Sequence, residues 1–225
     1  MSDSVRSMIP AIVCLQGAWL NLVSCEIKGH DKLLNAGIVS INADLLISHC
    51  KFNGLKSGGI LLQSAYQNTV KIADCQINKV GVVGIYCQGE DARPLILWTK
   101  IDQIDGLGIK IHKANWAKVK GCEISKCTNG IEVDCGDPLV IMNKISKCYE
   151  NGIVTIAKRG ILCNGHFKFN TVYQNKDNGI LIAGKYNFTK IEKSLEIAGN
   201  RKAGIKIIEE AMPSILHNVI WYNFG

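Results

Sequence analysis

The chain predicts an all-β solenoid, and three observations carry that expectation. A Gly-Ile pair recurs at Gly37, Gly59, Gly84, Gly108, Gly130, Gly152, Gly179 and Gly204, at intervals of 22, 25, 24, 22, 22, 27 and 25 residues. Two apolar columns keep the same register, one running through Leu22, Ile47, Ile72 and Ile96, the other through Ile27, Phe52, Ile77 and Ile101. The apolar runs are also too short and too β-branched for the 3.6-residue period of a helical repeat. Self-similarity at this period marks a stack of units, none of which can bury its apolar face alone.

Each coil then resolves into three short strands joined by bends. The first opens at Gly-Ile, where glycine is expected to remove a β-carbon at a sharp turn. Residues one and three places after the glycine point inward, and those two and four places after it point outward. The second and third strands follow the two apolar columns. Glu192 interrupts the second-strand column, which predicts an inserted residue in that coil. Between the second and third strands lies a small or polar column: Cys25, Cys50, Cys75, Thr99, Cys122, Asn143, Asn170, Leu195 and Asn218. A further column after the third strand ends in Asn175, Asn200 and Asn223. Asparagine suits a bend because it tolerates left-handed backbone and its amide can bond along a stack. A leucine-rich repeat needs an LxxLxLxxN core that is absent here. What remains is a parallel β-helix of about nine coils of 21–27 residues, a rod roughly 40 Å long from the strand spacing. Residues 1–10 read as an N-terminal segment and 11–225 as one β-helix domain.

Composition narrows the setting. The 225 residues are 47% hydrophobic and carry a net charge of +7, enough for one sizeable core and a modestly basic surface. The basic residues are dispersed along the chain, which argues against a nucleic-acid partner. No apolar run is long enough for a membrane-spanning helix. Met1 to Pro10 lack the layout of a signal peptide, and the ten cysteines therefore read as buried thiols in a reducing, cytoplasmic compartment.

The asparagine, aliphatic, asparagine, Gly-Ile units in Asn143–Ile153, Asn170–Ile180 and Asn218–Asn223 resemble the parallel β-helix repeat family. The resemblance covers roughly residues 11–225. Within the family the chain is most similar to the eukaryotic intracellular branch, the β-helix regions of F-box and Nessun Dorma-type proteins. That resemblance implies a right-handed helix and a role in recognising a protein or a sugar. The last coil begins at Pro213 and stops at Gly225, where another Gly-aliphatic unit is due, so a fragment, a partner-capped end or an assembly subunit is expected.

Catalytic patterns are incomplete. Polygalacturonase-like enzymes resemble one another in an NTD, DD, GHG and RIK set. This chain has Asn170-Thr171-Val172, Gly165-His166-Phe167 and Gly108-Ile109-Lys110, with no adjacent aspartates. Glu132, Asp134 and Asp137 are the nearest approach to a lyase-type carboxylate group. Cys25, Cys50 and Cys75, with His49 beside them, lack zinc-ligand spacing, and no phosphate loop or dinucleotide fingerprint is present, so no metal or cofactor is expected. Trp98, Trp116 and Tyr86 are candidates for a sugar-stacking platform.

The outer face of the first strand is the most informative surface. Its centre is polar: Tyr86, Gln88, Lys110, His112, Glu132 and Asp134. Its flanks are apolar: Val39, Ile41 and Leu61 on one side, and Val154, Ile156, Leu181 and Ile208 on the other. Lys110 with Glu132 and His112 with Asp134 form a charge ladder, while His112 and Asp134 are also the candidates for acid–base chemistry. Contiguous apolar flanks suggest an interface. The function expected is a non-catalytic scaffold or recognition domain for a protein partner in a larger assembly. The alternatives are a glycan-binding module and a polysaccharide-cleaving enzyme.

Overall fold

The computed structural model describes residues 9–29, 34–64, 68–114, 116–158 and 160–225; most of the expected N-terminal segment, residues 1–8, lies outside the described residues. The first coil contains β1 (Pro10–Cys14), β2 (Trp19–Val23) and β3 (Glu26–Lys28). The same triplet recurs up to Ile205–Ile208, Ser214–Leu216 and Ile220–Trp221. Each strand pairs in parallel with its counterparts in adjacent coils, which makes three nine-stranded sheets. The fold is a right-handed parallel β-helix, with no helix among the described residues. Sheet 1 holds the Gly-Ile strands, sheet 2 the β2 series and sheet 3 the β3 series.

Register places like on like. Ile85 pairs with Ile60 on one side and Ile109 on the other, and Ile72 pairs with Ile96. The inward residues of sheet 1, such as Ile60, Ile85, Ile109 and Ile131, are fully buried. Stacked isoleucines suit a sheet because their branched side chains pack well on a pleated surface.

The repeated glycines work differently from the sequence expectation. They lie inside or at the edge of the sheet 1 strands and do not adopt left-handed backbone. A Cβ on Gly59 would stand 2.5 Å from the carbonyl oxygen of Gly84, and one on Gly84 equally close to that of Gly108. Glycine is required here for close approach between coils, not for a turn.

Left-handed backbone occurs one residue ahead of the two corner columns that flank the third strand, at residues such as Met142 (φ 55°), Phe169 (φ 54°) and Gln174 (φ 56°). The asparagines themselves bond along the stack. The backbone N–H and the side-chain amide of Asn143 both donate to Asn170 Oδ1, at 2.9 and 3.1 Å. Cys148 N–H donates to Asn175 Oδ1 at 3.0 Å, and Asn175 donates in turn to Asn200, and Asn200 to Asn223. A third ladder, Asn129, Asn151 and Asn178, immediately precedes the glycines. Corners interrupt the strand ladders, and a side chain that both donates and accepts supplies the missing partners.

The insertion near Glu192 is present. Ile191, not Glu192, pairs with Phe167 and Ile215. Ser194 N–H donates to Asn218 Oδ1 at 2.9 Å, so Ser194 fills the corner position and Leu195 is exposed.

Replacing Asn175 with alanine leaves the buried Cys148 N–H without its acceptor. The expected cost is about 1–3 kcal/mol in urea denaturation, and an unchanged midpoint would show that the ladder is dispensable.

Candidate functional site

Strands Leu107–His112 and Ile131–Asp134 carry the polar centre of sheet 1. Ile109, Ile111, Ile131 and Val133 point into the core, and the period of two sends Lys110, His112, Glu132 and Asp134 outward. Register sets Lys110 opposite Glu132 and His112 opposite Asp134. The expected ladder forms: Lys110 Nζ lies 3.0 Å from Glu132 Oε1, and His112 Nδ1 lies 3.3 Å from Asp134 Oδ2.

Asp134 is buried and gains a second partner, a lysine, that sequence spacing does not reveal. Lys158 Nζ lies 3.2 Å from Asp134 Oδ2. Lys158 follows Ile156, which is the register partner of Asp134, and the loop after that strand turns the lysine back over the carboxylate. Cys135 adds its thiol 3.8 Å from Asp134 Oδ1, and burial pushes that thiol's pKa up. His112, Lys113, Asp134, Cys135, Lys158 and Ile161 line a cavity of about 310 Å³. Tyr86 donates its O–H to Gln88 Oε1 at 2.8 Å. Burial, and then the charge of Asp134, raise the Tyr86 pKa.

Two further cavities flank this centre. Trp116, Glu90, Asp137, Asn164 and Leu162 line one of about 440 Å³, which shares Lys113 and Ile161 with the first. The other, about 550 Å³, is almost wholly apolar and is lined by Leu61, Val82, Val83, Tyr86, Leu107 and Lys110.

The apolar flanks are less open than alternation suggests. Among Val39, Ile41, Leu61, Val154, Ile156, Leu181 and Ile208, only Ile41 is exposed, and Val154 is buried. Val154 lies between Glu132 and Leu181 in register, and side chains one strand spacing apart shade one another.

Other sequence candidates are separated by the topology. Asn170 belongs to a corner ladder, His166 to sheet 2 and Lys110 to sheet 1, so the partial hydrolase motifs share no site. Trp98 follows a sheet 2 strand at its sheet 3 corner, whereas Trp116 precedes a sheet 2 strand at its sheet 1 corner. With Tyr86 on sheet 1 itself, the three rings form no common platform. The stacked cysteines donate to backbone carbonyls, as with Cys50 to Ser48 at 3.1 Å and Cys75 to Ala73 at 3.2 Å. Burial pushes the thiol pKa of Cys75 up to about 11 and that of Cys122 to about 12. At neutral pH these thiols stay protonated, which is unsuited to nucleophilic attack.

Lysines dispersed in sequence are gathered on sheet 2. Lys71, Lys118, Lys120, Lys168 and Lys190 share its outer face, interleaved with Leu95, Leu97, Leu139 and Ile141. Glu192 sits within this face, 2.7 Å from Lys168, 3.0 Å from Lys190 and 3.2 Å from His166.

Hydrogen bonds from Lys168 and Lys190 hold the Glu192 pKa down to about 2, against an ordinary 4.5. A depressed carboxylate contributes stability fully above the unfolded pKa and loses it as pH falls through the folded one. The contribution of Glu192 therefore disappears between about pH 4.5 and pH 2. Urea denaturation across that window is expected to show a shallower acid loss for Glu192→Gln than for the native chain. Identical profiles would remove Glu192 from the account.

The family model described as "Right handed beta helix region" matches residues 10–195. The chain belongs to that family. Among solved structures, it is similar to a double mutant of the periplasmic alginate epimerase AlgG, with 13% identity and a TM-score of 0.55. That match covers 96% of this chain and 63% of the other, so the chain spans less than two thirds of that protein's length. A second AlgG structure matches at 10% identity and a TM-score of 0.45, covering 95% of this chain and 77% of the other. A siphovirus 9NA tailspike receptor binding domain matches at 8% identity and a TM-score of 0.27, covering 90% and 52%. The likeness to the double mutant shows the fold alone. A search of curated proteins finds no match.

Proposed function

We propose that this protein is a non-catalytic recognition domain that holds a protein partner against the outer face of sheet 1. The observation that carries this reading is the contrast between neighbouring surfaces. Glu132 and Asp134 are already matched by Lys110, His112 and Lys158 from the chain itself. Beside them lies the apolar 550 Å³ cavity formed by Leu61, Val82, Val83, Tyr86 and Leu107. Those carboxylates are turned toward side chains of the chain itself, whereas an apolar recess suits an anchoring side chain of a partner. The resemblance to intracellular F-box and Nessun Dorma-type β-helices supports the same reading. Its setting in this proposal is a reducing, cytoplasmic one, in keeping with ten free cysteines.

The test is recovery of a stoichiometric partner by the purified domain. Leu61→Asp is expected to abolish that recovery with the β-sheet circular dichroism unchanged, and His112→Ala to preserve it. Retained binding by a folded Leu61→Asp variant would sink the proposal.

A second reading, glycan binding, draws on one feature. Trp116 is 60% exposed and lines the 440 Å³ cavity with Glu90, Asp137 and Asn164. An aromatic face with carboxylate and amide groups beside it can stack on a sugar ring and bond its hydroxyls. On this reading, Trp116→Ala removes oligosaccharide retention on a glycan array while leaving protein binding intact.

A further inference from the structure

We infer that a second site, an aromatic slot on the flank of sheet 3, binds an alkylated ammonium group. It stands apart from the sheet 1 proposal and does not depend on it. Tyr173, Trp221, Tyr222 and Phe224 line one cavity of about 290 Å³ with Gln174, Ala198, Gly199 and Glu196. Four of the chain's 15 Trp, Tyr and Phe residues converge on this cavity.

Register explains how the slot forms. Tyr173, Ala198 and Trp221 occupy the same outward column of sheet 3 in successive coils. The backbones carrying Tyr173 and Trp221 are thus two strand spacings apart, about 9.6 Å. Ala198 and Gly199 form the floor between them, because neither has a side chain long enough to fill the gap. Gly199 has φ 62°, in keeping with the left-handed corner, and Gln174 and Tyr222 are its counterparts in the coils on either side. Tyr222 and Phe224 complete the wall, with ring centroids 5.1 Å apart at 70°, and Trp221 and Tyr222 lie 6.0 Å apart at 45°.

These rings are not uncovered core. Ile220 is the inward residue of its strand, paired with Ile197, and Trp221 is the outward one. Trp221, Tyr222 and Phe224 lie in the last coil of the sequence, where inward Ile215 and Ile220 are exposed too, so it is the grouping of their rings with Tyr173 around one cavity, and not their exposure, that marks them.

Charge selects the ligand class. Glu196 lines the slot and pairs in register with Thr171. Among the described residues no ion pair reaches it. Tyr173 already receives a cation from the chain, with Lys144 Nζ 5.6 Å from its ring centroid. Aromatic faces attract cations through their quadrupole, and an unpaired carboxylate beside them favours a positive guest over a neutral one. A group of methylated-ammonium size fits a one-coil gap of this volume, and the carboxylate of Glu196 favours its charge over a neutral guest of the same size.

The test is a titration of the full chain with tetramethylammonium chloride, followed by NMR of the Trp221 indole N–H, assigned through Trp221→Phe. tert-Butyl alcohol serves as the neutral isostere. Saturable shifts with tetramethylammonium and none with the alcohol are expected. Trp221→Ala is expected to weaken binding about tenfold and Glu196→Gln several-fold. Ala198→Leu fills the floor while keeping every ring, and is expected to abolish binding. Equal responses to the alcohol, no saturation, or full binding by a folded Ala198→Leu variant would overturn the inference. Partner recovery through sheet 1 is unaffected in each case, so the two proposals fail separately.

Discussion

Every coil of this protein holds its shape because another coil lies one strand spacing away. A three-strand coil makes few backbone hydrogen bonds within itself. Its N–H and C=O groups are satisfied by the coils on either side, in three parallel ladders that run the length of the rod. The spacing then dictates which residues are tolerated. At the start of sheet 1 the coils approach so closely that a β-carbon would collide with a carbonyl oxygen of the next coil. At the corners, asparagine amides carry the ladder past the break between strands.

The same spacing governs the surface. Residues that stand two dozen positions apart in sequence become adjacent, and charges meet across it. Lys110 and Glu132 come from consecutive coils, as do His112 and Asp134. Lysines spread through the chain become one face of sheet 2, and Glu192 is held ionised by two of them. Leu95, Leu97, Leu139 and Ile141 separate those lysines on alternate coils, which spaces like charges two rungs apart along much of the face.

Cavities arise where the coils cease to be uniform. The loops that leave sheet 1 differ in length, and the recesses around Lys158, Trp116 and Ile161 lie between them. The slot at Tyr173 and Trp221 has the opposite origin: small residues on one coil between large residues on its neighbours. Both devices leave the stacked core undisturbed, since they alter only outward positions and corners. A solenoid can vary its recognition surface coil by coil for this reason.

Much of the architecture was legible in the sequence because stacking imposes a period and period two imposes a face. The Gly-Ile interval, the isoleucine columns, the extra residue near Glu192 and the pairing of Lys110 with Glu132 are all local patterns repeated in register. The role of glycine was misread because a turn and a close approach between coils select the same residue, and only the neighbouring carbonyl tells them apart. The left-handed corners fall on Met142, Phe169 and Gln174, whose side chains give no hint of it. The lysine on Asp134, the burial of Val154 and the gathering of four aromatic rings around Ala198 depend on where loops and side chains from different coils meet. Sequence by itself determined the coil, its period and its inward face, since these are set by backbone spacing and hydrophobic alternation. Only the tertiary structure decided which outward groups touch, because that contact is made across coils by side-chain reach and loop path, which no column of residues records.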